Sequence, residues 1–87
     1  MKGDILRLLF FASLREQLST DKEDWPDLDN IITIHDVKLK LIERGEPWSS
    51  ALANPRLIVS INQEVASMND KVSLHDELAF YPPVTGG

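Results

Sequence analysis

Thr33-Ile34-His35-Asp36-Val37-Lys38-Leu39-Lys40-Leu41-Ile42-Glu43-Arg44-Gly45 decides how this chain folds. A Thr followed three residues later by Asp resembles a capping box with a shorter acid, and it sets negative charge near a helix N-terminus. Val37 and Leu41, with either Ile34 or Arg44, recur at helical spacing, and Leu39 and Ile42 widen the apolar stripe. Gly45 stands where a left-handed C-terminal cap is expected, and Pro47 prevents continuation. A helix with one apolar face must bury it, and the segments on either side read as strands.

Asp4 to Phe11 is apolar and aromatic with Arg7 as its interior charge, which reads as a strand. Alternation places Leu6, Leu8 and Phe10 on one face, and Arg7, Leu9 and Phe11 on the other. Ala12 to Leu18 is a short helical turn with Ser13 as its cap and Glu16 three residues on. Ser19 to Asn30 is polar and acidic, a loop around a weak edge strand at Glu23 to Trp25 that Pro26 limits. After the main helix, Trp48 to Asn54 forms a second short helical turn. Arg56 to Ile61 is a strand with Leu57, Val59 and Ile61 on one face, and Asn62-Gln63-Glu64 turns it into a short partner, Val65 to Ser67. Val72 and Leu74 make a short extended piece, His75-Asp76 a tight turn, and Glu77 to Tyr81 the last strand. The expected fold is α+β: a mixed sheet of about five strands with one main helix across one face. Residues 1–81 form the domain and residues 82–87 an extended tail, stiffened at its base by Pro82-Pro83.

Composition narrows the function. With 87 residues there is room for one domain and one modest core. A net charge of −5 argues against nucleic acid or an anionic membrane as partner and allows a basic protein partner. No stretch approaches the apolar length of a spanning helix, and the N-terminal pattern, broken by Arg7, is a buried strand rather than a signal peptide; the expected compartment is the cytoplasm. Cysteine is absent, which rules out disulfides, a thiol nucleophile and thiolate metal sites. His35 and His75 each lie beside an acid, but no nucleophile or metal-ligand spacing accompanies them, so they read as surface polar residues. No metal site is expected.

Two features remain. In each of Phe10-Phe11 and Phe80-Tyr81 one ring must face the core and one must face away. If the two strands adjoin, Phe11 and Tyr81 form one exposed patch near the tail, of the kind that marks an interface. The tail then ends in Gly86-Gly87, thin enough to enter a channel too tight for any other residue type. A backbone carboxylate delivered that way can be activated with ATP and attacked by a nucleophile.

Leu9-Phe10-Phe11-Ala12-Ser13-Leu14-Arg15-Glu16, Val59-Ser60-Ile61-Asn62-Gln63 and Glu77-Leu78-Ala79-Phe80-Tyr81-Pro82-Pro83-Val84-Thr85-Gly86-Gly87 together resemble the MoaD family, the small sulfur-carrier subunits of molybdopterin synthase with a ubiquitin-like β-grasp fold. The Gly-Gly ending alone would also admit ThiS-like carriers for thiazole synthesis and ubiquitin-like modifiers. The resemblance implies a cycle centred on Gly87, with Gly86 beside it. A MoeB-like adenylating enzyme would use ATP to form an acyl adenylate there, and a sulfur donor would convert it to a thiocarboxylate. A MoaE-like large subunit, in a heterotetramer of small and large subunits, would supply the catalytic side chains for sulfur transfer to cyclic pyranopterin monophosphate. No cofactor would be bound by this chain itself. Phe11, Val65 and Tyr81 match the family's partner-facing surface, and Pro82, Pro83, Val84 and Thr85 the partner-binding tail. Tyr81 stands where the family often has Phe, and Ser19 to Asn30 takes no role from the resemblance.

Overall fold

The computed structural model describes residues 4–83. Along these the elements run β1 (Leu6–Phe10), α1 (Ser13–Leu18), β2 (Lys22–Trp25), α2 (Ile34–Ile42), α3 (Trp48–Leu52), β3 (Ile58–Ile61), β4 (Glu64–Ala66) and β5 (Glu77–Tyr81). The strands form one sheet in the order β2-β1-β5-β3-β4. The central pair β1 and β5 is parallel, with Leu8 opposite Leu78 and Phe10 opposite Phe80, and every other neighbour is antiparallel. This mixed sheet with its helices on one side is the ubiquitin-like β-grasp arrangement that the sequence led us to expect.

The inner face follows from alternation. Leu6, Leu8, Phe10, Val59, Leu78 and Phe80 are buried there, against Ile34, Val37 and Leu41 of α2 and Leu52 of α3. The Phe10 and Phe80 rings stack at 5.6 Å, and Trp48 meets Phe10 edge-on at 5.6 Å. Aromatic pairs in these geometries add to simple burial, so β1, β5 and α3 are joined at one point.

The start of α2 is built as the sequence indicates. The Thr33 and Ile32 amides donate to Asp36 Oδ2 at 3.0 and 2.9 Å, and the Asp36 amide donates to Thr33 Oγ1 at 3.3 Å. The Thr33 amide, then that of Ile32, holds the Asp36 carboxyl below the usual carboxylate range. Gly45 adopts φ +86°, a conformation that a side chain would disfavour, just past the helix end. The choice between Ile34 and Arg44 resolves to Ile34, which is fully buried.

Several local expectations are corrected. Leu39 is 45% exposed and lies outside the stripe. Ala12, not Ser13, occupies the N-cap of α1 and makes no side-chain cap bond. The partner strand covers Glu64–Ala66, one residue earlier than expected, because Asn62 and Gln63 alone make the hairpin turn at φ 51° and 73°. Val72 and Leu74 lie outside the named strands, and the Val72 amide donates to the Ile32 carbonyl at 3.0 Å, beside an isolated bridge between Thr33 and Lys71. Two short helices, α1 and α3, accompany α2 in the helical layer.

The acidic segment after α1 acquires a structural role. Glu23 of β2 is held by Arg44, whose Nη1 donates to Oε1 at 3.0 Å while Nη2 grips Oε2, and the Trp25 indole donates to Oε2 at 2.8 Å. The Arg44 guanidinium lies 4.6 Å over the Trp48 ring. One carboxylate thus ties the edge strand to the ends of two helices. Bonding to Arg44, above all, lowers the Glu23 pKa below its ordinary value, and the Arg44 pKa is raised in turn. A depressed carboxyl stabilises the fold fully above its unfolded value of about 4.3 and loses that contribution as pH falls through the folded value. Glu23→Gln should therefore cost about 1 kcal/mol near pH 7, a drop of roughly 4–8 °C in Tm. The gap between variant and wild type should close in melts below the ordinary glutamate range; a gap of constant size from pH 7 to pH 3 contradicts this.

Candidate functional site: the outer sheet face

Residues that alternate away from the core make the outer face. Strand register puts Arg7 beside Glu77, Leu9 beside Ala79, Ser60 between Ala79 and Val65, and Ile58 beside Tyr81. One step beyond β1, the Phe11 amide donates to the Phe80 carbonyl at 3.1 Å and prolongs the ladder. That bond sets Phe11 against Tyr81, and their rings stack at 4.9 Å with only 8° between planes. The patch foreseen from the two aromatic pairs is therefore formed.

The face is graded. At one end Arg7 pairs with Asp24 of β2 at 3.1 Å, and this bond raises the Arg7 pKa further and keeps the guanidinium charged. At the other end lie Phe11, Tyr81, Pro82 and Val65, the last 85% exposed. There a depression of about 430 Å³ is lined by Ala12, Ile58, Ser60, Gln63, Val65, Tyr81 and Pro82. An exposed β-branched residue, two stacked rings and a proline in one place form a surface that gains by losing water to a partner.

The structure brings Val65, Tyr81 and Pro82 together around this depression and sets Phe11 against Tyr81. Pro83 follows, half-buried and outside any strand. Val84, Thr85, Gly86 and Gly87 lie outside the described residues. Sequence reasoning missed Ile58, Ser60 and Ala12. The first two were within reach, because placing Leu57, Val59 and Ile61 inward sends Ile58 and Ser60 outward. Ala12 had no such signal, since its place depends on a backbone turn at φ 54°.

The histidines stay apart from the apolar end of this face, His75 lying beside Arg7 and Glu77 at the other. His75 Nε2 lies 3.1 Å from Asp4 Oδ1 in an exposed pair, and His35 is exposed on α2. Among the described residues no cluster of His, Asp and Glu could hold a metal ion, and no helix is long and apolar enough to cross a membrane.

Known proteins share this architecture. A molybdopterin synthase sulfur carrier subunit of Haemophilus influenzae is 39% identical over 83 residues, covering 95% of this chain and 100% of that protein. The protein of the same name from Escherichia coli is 32% identical over 87 residues, again covering 95% of this chain and 100% of the relative. Among solved structures, the crystal structure of small archaeal modifier protein 1 of H. volcanii superimposes with a TM-score of 0.71 at 25% identity, covering 94% of this chain and 100% of that one. The family model of the ThiS family matches residues 8–87. With a five-stranded β-grasp sheet, a match over nearly its whole length and relatives covered end to end, the chain belongs to the ThiS family.

Proposed function

We propose that this chain is the sulfur carrier of a molybdopterin synthase, working in molybdenum cofactor biosynthesis. The observation that carries this reading is the match to two relatives of that name over their whole length, at 39% and 32% identity. The outer face supports it: an apolar surface lies where β5 leaves the sheet towards the Gly-Gly sequence. The carboxyl group of Gly87 is the carrying group. A MoeB-like enzyme joins it to AMP with release of pyrophosphate from ATP, and a nucleophilic sulfur then displaces AMP to leave a thiocarboxylate. A MoaE-like large subunit receives the loaded tail, shields the thiocarboxylate from water and supplies the side chains that move sulfur to cyclic pyranopterin monophosphate. The working assembly is a heterotetramer of small and large subunits, and the compartment is the cytoplasm.

Intact-mass measurement of the chain co-produced with its activating enzyme tests the chemistry. One oxygen replaced by sulfur at Gly87 is the expected species, and its persistent absence with active enzymes present removes the proposal. A second reading, conjugation to other proteins, draws on the likeness to the archaeal modifier protein. Lysine-linked conjugates in cells would favour it; capture of a MoaE-like subunit favours the carrier.

Docking should depend on the stacked pair. Phe11→Ala or Tyr81→Ala is expected to weaken binding of the large subunit about 30-fold, as for a buried aromatic anchor worth about 2 kcal/mol. Calorimetric titration measures this, and the free variants should melt close to wild type because neither ring is in the core. Unchanged affinity in both variants would move the docking surface elsewhere.

A further inference from the structure

The turn between β3 and β4 is fastened to the start of β5 by one side chain. Asn62 follows the last β3–β5 pair, Ile61 opposite Leu78, and its amide donates to the Glu77 carbonyl at 2.8 Å. One more regular antiparallel step would have the Glu77 amide donate back to the Asn62 carbonyl. At φ 51° the chain is already turning into β4, and the carboxamide takes that carbonyl's place: Oδ1 accepts from the Glu77 amide at 3.0 Å. Nδ2 donates to Asp76 Oδ1 at 3.1 Å, and Asp76 Oδ2 accepts from the Ser73 amide at 2.8 Å. The Asp76 carbonyl in turn accepts from the Arg7 amide at 3.0 Å, so β1, β3 and β5 are joined at this corner.

Asparagine meets three demands here together. Glycine would take the left-handed turn without strain but has no carboxamide. Aspartate tolerates the turn and can accept from the Glu77 amide, but it sets a second carboxylate against Asp76. We propose that Asn62 is a positioning residue of the docking surface, a clasp that holds the β3–β4 hairpin against β5 and so fixes Gln63 and Val65 beside Tyr81. The hairpin needs such a clasp. β4 is an edge strand of three residues paired with β3 alone, and Val65 is 85% exposed, so burial does little to hold it. Gln63 and Val65 both line the depression next to Tyr81. A surface fixed before contact loses less freedom on binding. The identity of the partner rests on the carrier reading; the clasp does not.

Exchanging the two side chains tests the clasp in the free chain. Asn62→Asp alone should loosen the hairpin, with backbone order parameters of Gln63, Glu64 and Val65 falling from about 0.85 to below about 0.6 in NMR relaxation. Adding Asp76→Asn should restore them. The carboxylate at 62 then accepts from both the Glu77 amide and the carboxamide at 76, whose oxygen accepts from Ser73. A side chain that was merely polar would show additive effects instead of this rescue. Asn62→Gly keeps the turn but should speed hydrogen exchange of the Glu77 amide about 5-fold, the worth of one hydrogen bond. Affinity for the molybdopterin synthase large subunit should fall about 5-fold in Asn62→Gly and in Asn62→Asp, and return in the exchanged pair.

Additive single effects, an unchanged Glu77 amide in Asn62→Gly, or a rigid hairpin in Asn62→Asp would overturn the clasp. Wild-type affinity of Asn62→Gly for a large subunit that Phe11→Ala binds weakly would overturn its part in docking. A hairpin rescued by the exchange, in a chain that the large subunit does not bind at all, keeps the clasp and sinks the carrier reading instead.

Discussion

Removing Gly87 is expected to abolish sulfur loading and with it molybdopterin formation, while leaving the fold intact. The chain has no cysteine, so no side-chain thiol can take over as carrier. Without Gly87 the carboxylate ends roughly 3.5 Å short of its place, the span of one extended residue. Misplacement by as little as about 1 Å can cost on the order of 100-fold in rate, so the residual activity should fall at least that far. Gly86→Val keeps the reach but adds a branched β-carbon, which a channel shaped for bare backbone refuses. It should load poorly, and any chain that is loaded should transfer slowly. The core runs through β5 as far as Phe80, so neither variant should change Tm by more than the error of the melt. Intact mass of the co-produced chain reads loading, and product formation with the large subunit reads transfer. Full activity from a chain lacking Gly86 and Gly87 would mean that the protein acts as a binding module, not as a carrier.

Phe80→Ala should produce the largest loss of stability, about 3–5 kcal/mol. The ring is fully buried, stacks on Phe10 at 5.6 Å and lies on the central parallel pair, where neighbouring strands on both sides hold the backbone and limit collapse into the cavity. A chain of this length has roughly 4–13 kcal/mol in all, so the variant is close to unfolding at body temperature. Urea titration at 25 °C should show a lower midpoint with an unchanged slope. Phe80→Leu, which keeps most of the volume, should cost under about 1.5 kcal/mol. A loss of less than 1.5 kcal/mol in Phe80→Ala would show that the ring is less tightly enclosed than the structure indicates. The loss also bears on function, because inward Phe80 is what points Tyr81 outward and aims the chain that follows.

Much of this was legible in the residues. The capping box at Thr33 and Asp36, Gly45 past the helix end and the alternation in β1 are local rules, and the structure obeys them, whereas in β5 the outward Ala79 is buried along with Leu78 and Phe80. Phe11, Val65 and Tyr81 were readable as one surface because alternation and resemblance agreed. The misses share a cause. Leu39 satisfies helical spacing yet faces water, since only the position of the sheet decides how wide a stripe is covered. The short extended piece at Val72 was readable, but not that its amide meets the Ile32 carbonyl, forty positions back along the chain. The role of the acidic segment depended on Arg44, which meets Glu23 only after two turns of topology.

The sequence by itself determined the elements, the inward and outward sides of each strand, and the family, because periodicity, caps and motifs are written in neighbouring residues. Only the tertiary structure decided the rest. It joined β1 to β5 so that Phe11 could stack on Tyr81, and it turned the chain at Ala12 through a positive φ beside them. These are consequences of strand order and register, and no local pattern in the chain specifies which strand will lie beside which.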